Sequence, residues 1–200
     1  MTRPRRHGDE GQAFPIYLTV VAGLLFLAFA YFAVGQATVN RSGAQTAADA
    51  AALAAAQDTR DQLAGEWVKD ILDPAKWQQI FDGDGPGLQL SCRRAYELAQ
   101  RNDAHVLDCA PSGPLSYAVD VETDKSMGKS VVPITENKHS KAHATAVIEP
   151  LCSFPSPAAA PGPDALPRLT CKNRYWDLDP KDLTDLPKPN DLFDVHLADR

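Results

Sequence analysis

From Gly11 to Asn40 the chain carries no charged residue, and within that stretch Ala13 to Val34 reads AFPIYLTVVAGLLFLAFAYFAV. As a helix rising ~1.5 Å per residue it spans roughly 33 Å, close to the ~30 Å hydrocarbon core of a bilayer. A helix in water keeps a polar face. This one is apolar all round, with Thr19, Tyr17 and Tyr31 as its polar handles. Phe14 and Tyr17 sit toward one end and Tyr31 and Phe32 toward the other, where aromatic rings suit the two membrane interfaces. A chain of 200 residues leaves too little protein to surround such a helix, so a transmembrane span is expected rather than a core helix.

The flanks set the expected orientation. Arg3, Arg5 and Arg6 precede the span, while Arg41 and Arg60 follow at greater spacing. Positive residues stay preferentially on the cytoplasmic side, so the N-terminus is expected inside and the rest outside. The apolar run is longer than the ~7–15-residue core of a signal peptide, which argues for a retained anchor. No cysteine precedes Cys92, so a lipoprotein anchor is not expected.

Nothing between Gln36 and Arg60 breaks a helix strongly; Gly43 is the one weak point. Gln45 to Gln57 reads QTAADAAALAAAQ, dominated by the best helix former. The span is therefore expected to continue as an Ala-rich helical stalk over 36–60. Small side chains allow close helix approach, which makes Ala47, Ala48, Ala51, Ala52 and Ala55, within Ala47–Ala56, a candidate helix-packing face. The plainer reading is a stalk that touches nothing in particular. Pro15 either opens the helix or kinks it.

These residues resemble a known family. Gly11-Gln12-Ala13 leading into the apolar span, then Gln45 to Ala56, is similar to the N-terminal region of TadE/TadG-like proteins, components of Tad (Flp, tight-adherence) pilus assembly; the likeness covers roughly residues 8–60. Cys92 to Val121 resembles the body of small TadE-like secreted proteins, in which a Cys-bearing helix precedes a Cys-bearing strand. The resemblance implies a non-enzymatic envelope protein, a minor pilin or an assembly factor. One departure matters. Prepilin-type processing wants Glu five residues after the cut; counting from Gly8 gives Ala13 and from Gly11 gives Ile16. That favours a membrane-retained TadG-like accessory over a core filament subunit.

Beyond the stalk, Leu63, Trp67 and Ile71 with Val68 and Leu72 give a helical stripe, and Pro74 is expected to divide it, with Asp73 as a cap. Asp82-Gly83-Asp84-Gly85-Pro86-Gly87 is a turn cluster. Leu90 to Gln100 reads as an amphipathic helix with Leu90, Ala95, Leu98 and Ala99 inward. His105 to Cys109, Leu115 to Val121, Ser130 to Ile134 and Ala142 to Ile148 read as short strands. The expected fold is α+β: a long N-terminal helix, then a small domain over 61–150 with helices on one face of a short antiparallel sheet. Pro150 to Pro167 holds six prolines and is expected as an extended loop. Arg168 to Asp179, with Cys171, Tyr175 and Trp176, is expected to pack back on the domain, and Asp182 to Arg200 is acidic and Pro-broken, expected as a mobile tail.

The four cysteines, Cys92, Cys109, Cys152 and Cys171, all follow the span. An even number in an oxidising compartment reads as two disulfides, of three possible connectivities. Cys92–Cys109 and Cys152–Cys171 are expected, one tying helix to strand and the other closing the Pro-rich segment. A zinc site is disfavoured by the lack of any CxxC pair.

No GxSxG, HExxH, P-loop or dinucleotide motif occurs. No catalytic residue, cofactor or metal is therefore expected. His139 and His143 have helical ligand spacing but lie in a polar loop entering a strand. Asp82 and Asp84 recur as in a calcium loop, but the twelfth position is Arg93 and Pro86 intrudes. Lys125, Lys129, Lys138 and Lys141 read as a solvated loop. A net charge of -6 argues against nucleic acid. Residues 1–12 are then a basic cytoplasmic N-terminus, 13–35 the span, and 151–200 a Pro-rich, disulfide-looped segment and acidic tail. The expected function is a structural or assembly part of a Tad/Flp-type pilus or related secretion apparatus, meeting other envelope proteins through the N-terminal helix. The alternative is a membrane-tethered extracytoplasmic binding module.

Overall fold

The computed structural model describes residues 13–126, 138–155, 166–172 and 174–199. One helix, α1, runs unbroken from Ala13 to Lys69. Pro15 falls in its first turn, where a missing N–H costs no helical bond. No break separates the apolar stretch from the Ala-rich stretch, and helix formers carry α1 past the expected stalk to Lys69. Its last turn carries Lys69, whose charge suits the negative helix end.

After α1 the chain turns through a 3₁₀ helix, Pro74–Lys76, into α2, Trp77–Phe81. Asp73 makes no side-chain cap bond; its carboxylate lies 3.6 Å from Lys76 Nζ instead. Gly83 follows at φ 87°, and a Cβ there would meet the Pro114 carbonyl oxygen at 2.7 Å, so the turn requires glycine. α3 covers Cys92–Arg101. Leu90 lies outside it and is 72% exposed, a correction to its expected core place. Ala95 and Ala99 do face inward. Of the stripe on α1, Leu63, Trp67 and Ile71 are buried, whereas Val68 and Leu72 face solvent.

The strands are β1 (Ala104–Gly113), β2 (Ser116–Thr123), β3 (Lys141–Pro150), β4 (Cys152–Ser153), β5 (Leu169–Cys171), β6 (Arg174–Trp176) and β7 (Phe193–Leu197). A four-stranded antiparallel sheet has the order β1-β2-β3-β7, and β4-β5-β6 form a small second sheet. The strand expected at Ser130 to Ile134 lies outside the described residues. β2 alternates as its sequence demands: Tyr117, Val119 and Val121 are buried, while Asp120 and Glu122 are partly exposed. α1 packs on β2, β3 and β7, and α3 packs on β1 and α1, so both helices cover one face of the sheet. This is the α+β architecture that the sequence pattern predicts.

The segment expected as a mobile tail is structured. Pro189–Leu192 forms a helical turn, α4, and β7 pairs antiparallel with β3. The reason is apolar: Leu192 and Phe193 are fully buried. Phe193 closes an aromatic cluster, stacking on Phe81, which meets Phe154, which in turn meets Trp77 beside Trp67. Fully burying side chains of this size stabilises by ~1.5–3 kcal/mol each, enough to hold an otherwise polar strand.

Candidate functional site

α1 divides by environment, not by shape. From Phe14 to Phe32 its side chains are all exposed, with no protein packed on them. A water-exposed helix of that composition would be unfavourable by ~25 cal/mol for each Å² of apolar surface. The segment has the length and composition to cross a membrane. From Ala44 onward the same helix enters the domain.

There the alanine seam is placed. Ala47, Ala48, Ala51, Ala52 and Ala55 have no exposed surface, and neither does Ala56. They share one core with Val119 and Val121 of β2, Ala144, Ala146 and Ile148 of β3, and Ala95 and Ala99 of α3. The seam therefore packs against the chain's own sheet and second helix. It is neither a bare stalk nor a face open to another protein. Alanine on both sides of this contact lets the backbone of α1 lie close over the sheet.

A polar network with Thr59 and Ser91 buried at its centre fastens the same helix higher up. Thr59 Oγ1 lies 2.8 Å from Ser91 Oγ, and the Ser91 N–H donates to Tyr117 Oη at 3.3 Å. Gln62 Nε2 donates to Ser91 Oγ at 3.1 Å and to the Gln89 carbonyl, and the Gln89 N–H donates to Gln62 Oε1 at 2.6 Å. Together these tie α1, the start of α3 and β2 through groups that would be costly to bury unpaired.

Two disulfides staple the periphery. Cys92–Cys109 joins α3 to β1 across 17 residues, and Cys152–Cys171 joins the directly paired positions of β4 and β5 across 19. Loops of this size gain ~3 kcal/mol in the chain-entropy model.

The other residues singled out in the sequence do not converge. His139 Nδ1 lies 2.6 Å from the Thr123 carbonyl oxygen, and His143 Nδ1 lies 3.0 Å from Asp120 Oδ1, so each has its own partner. Gln78 donates to Asp82 and Gln79 to Asp84. Lys125 pairs with Asp103 at 3.0 Å and Lys141 with Glu122 at 3.9 Å; Lys129 lies outside the described residues. A group the sequence reading missed is Glu149, Asp194 and His196, whose potential ligand atoms lie within 4.8 Å of one another on the exposed face of β3 and β7. Recognising β7 was the missing step; Phe193, Val195 and Leu197 alternate with Asp194 and His196 as a strand should.

A cleft of about 740 Å³ lies where the apolar stretch of α1 meets the domain. Tyr31, Gly35, Val39 and Gly43 wall it on one side, Asn102, Asp103 and Lys125 on the other.

Residues 11–58 match the family Tad, TadE/G-like Flp pilus assembly. The TadE/G-like region thus takes in the whole apolar stretch of α1 and the alanine seam up to the level of Thr59. It supports a pilus-related role. No curated protein and no solved structure matches the chain.

Proposed function

We propose that this chain is a non-enzymatic structural or assembly component of a Tad/Flp-type pilus or a related secretion apparatus. In this reading α1 holds it in the bacterial membrane in a single pass, with the N-terminus cytoplasmic and the domain outside. The observation that carries the reading is the place of the family match on the structure. The matched region 11–58 covers the unpartnered apolar helix and its entry into the domain core. Anchor and spine are one element.

Two further features support the outward placement. Both disulfides lie in the domain, and disulfides persist in oxidising compartments. Arg3, Arg5 and Arg6 precede the span. Ala13 and Ile16 stand where a processed pilin would carry Glu, so the membrane-retained accessory is favoured over the minor pilin. With the alanine seam covered by the chain's own sheet, the exposed apolar stretch Phe14–Phe32 is the part of α1 left to meet partner helices.

The test is an in-frame deletion in the source bacterium, scored for filaments by electron microscopy. Loss of pili, restored by the full chain, is expected. Wild-type piliation in the deletion, with no pilus-assembly protein co-purifying from solubilised membranes, would refute the proposal. Orientation is read separately: after reduction, a membrane-impermeant maleimide should label the four cysteines in spheroplasts.

A further inference from the structure

The position of the cleft beside Tyr31 fixes how close the domain stands to the bilayer. The membrane-competent stretch ends at Phe32. The headgroup layer adds roughly 5–7 Å on each side of the hydrocarbon core, or about four to five helical residues. That layer therefore covers α1 from Phe32 to about residue 37. The same cleft that Tyr31, Gly35 and Val39 wall is closed on its other side by Asn102, Asp103 and Lys125. Those three residues lie at the α3–β1 turn and just after β2, the end of the domain that points back down α1. The lower end of the cleft, at Gly35, thus opens onto the headgroup layer.

The lining is suited to one kind of occupant. Tyr31, Val39 and the Cβ-free surfaces of Gly35 and Gly43 make an apolar wall continuous with the membrane span; a Cβ at either glycine would meet no neighbour within 4 Å. Opposite stand an ammonium and a carboxylate, Lys125 Nζ and Asp103 Oδ2, 3.0 Å apart and largely exposed. An acyl chain against the wall, with a phosphate near the Lys125 ammonium, suits both features.

We infer that the cleft between Tyr31–Gly43 of α1 and Asn102, Asp103 and Lys125 seats a phospholipid of the host bilayer, holding the domain base against the membrane. The experiment uses the full chain reconstituted into vesicles of phosphatidylethanolamine and phosphatidylglycerol, 3:1. Photo-crosslinking p-benzoylphenylalanine replaces Asn102 in one sample, Phe26 in a second as the in-membrane control, and Tyr175 in a third as the distal control. Phospholipid adducts are expected at 102 and 26 and not at 175. Gly43→Trp, which fills the cleft, is expected to lower the adduct at 102 several-fold and leave that at 26 unchanged. No lipid adduct at 102 while 26 reacts would overturn the inference. A cross-link from 102 only to a second copy of the chain would overturn it too, and would assign the cleft to a protein contact.

Discussion

Phe193 stacks on Phe81 with ring centroids 4.9 Å apart and planes inclined by 28°, which locks the last strand of the chain to the short helix that follows α1. Both rings are buried. Phe193→Ala would leave a cavity beneath β7 and is expected to cost about 3–5 kcal/mol. Urea unfolding of the detergent-solubilised full chain would show a lower midpoint. An unchanged midpoint would mean that β7 contributes little to the fold.

Ala51 has no exposed surface. Ala51→Glu would place an unpaired carboxylate between α1 and the sheet, at a cost of several kcal/mol. Gln57→Glu, on the exposed side of the same helix, is expected to be near neutral. Limited trypsin digestion separates the two: the first variant should be degraded to the apolar anchor, the second should yield the wild-type fragment. Equal resistance would show that the seam tolerates charge and is not a packed core.

Each disulfide makes the unreduced protein lighter by two hydrogens, so the mass of the membrane-extracted chain with and without reductant counts them. Replacing Cys92 and Cys109 together by Ser is expected to cost about 2–4 kcal/mol in denaturant unfolding. Free thiols at all four positions in the native protein would contradict both bridges.

Thr59→Val keeps the shape of the side chain but leaves the Ser91 hydroxyl without the contact at 2.8 Å. The expected loss is about 0.5–1.5 kcal/mol, the net worth of one hydrogen bond, because Gln62 Nε2 still reaches the Ser91 hydroxyl at 3.1 Å. Thr59→Ser, which retains the hydroxyl, should lose less. If the two variants unfold alike, the hydrogen bond is not what holds α1 to the start of α3.

The Thr184 hydroxyl and backbone N–H, 2.6 and 3.2 Å from Asp182 Oδ1, hold that carboxyl below its ordinary range. A depressed folded pKa means that the contribution is present above the ordinary aspartate value of ~3.9 and is lost as pH falls through the lower folded value. In an NMR titration Asp182 should protonate below the ordinary aspartate range. Thr184→Ala, which removes the hydroxyl bond and keeps the backbone one, should raise it toward the ordinary range; no change would show that the hydroxyl bond does not persist in solution.

Legibility in the sequence followed the length scale of the interactions. The apolar span and the alternation of β2 were legible because each is a local pattern with a single period. The alanine seam was legible as a packing surface, but not as to what covers it, because Ala51 shares its core with β2 and β3, which lie far later in the chain. β7 was hidden by its surroundings: Pro187, Pro189 and several aspartates gave the segment the composition of a tail, and five alternating residues did not outweigh them. Glu149, Asp194 and His196 come together only through that strand pairing, so no local motif announced them.

Because α1 runs without interruption from the membrane-competent stretch into the core, the proposed anchor would give the domain a compass bearing as well as a height above the membrane. Each residue of the helix turns the chain by ~100° and raises it by ~1.5 Å. One residue inserted between Phe32 and Ala44 would swing the domain more than a quarter turn about the membrane normal, so that Lys125 and Asp103 would no longer stand over the same sector of lipid or of a neighbouring helix. The phase of one helix, set by residue count alone, thus decides which side of the domain any neighbour in the membrane plane would see.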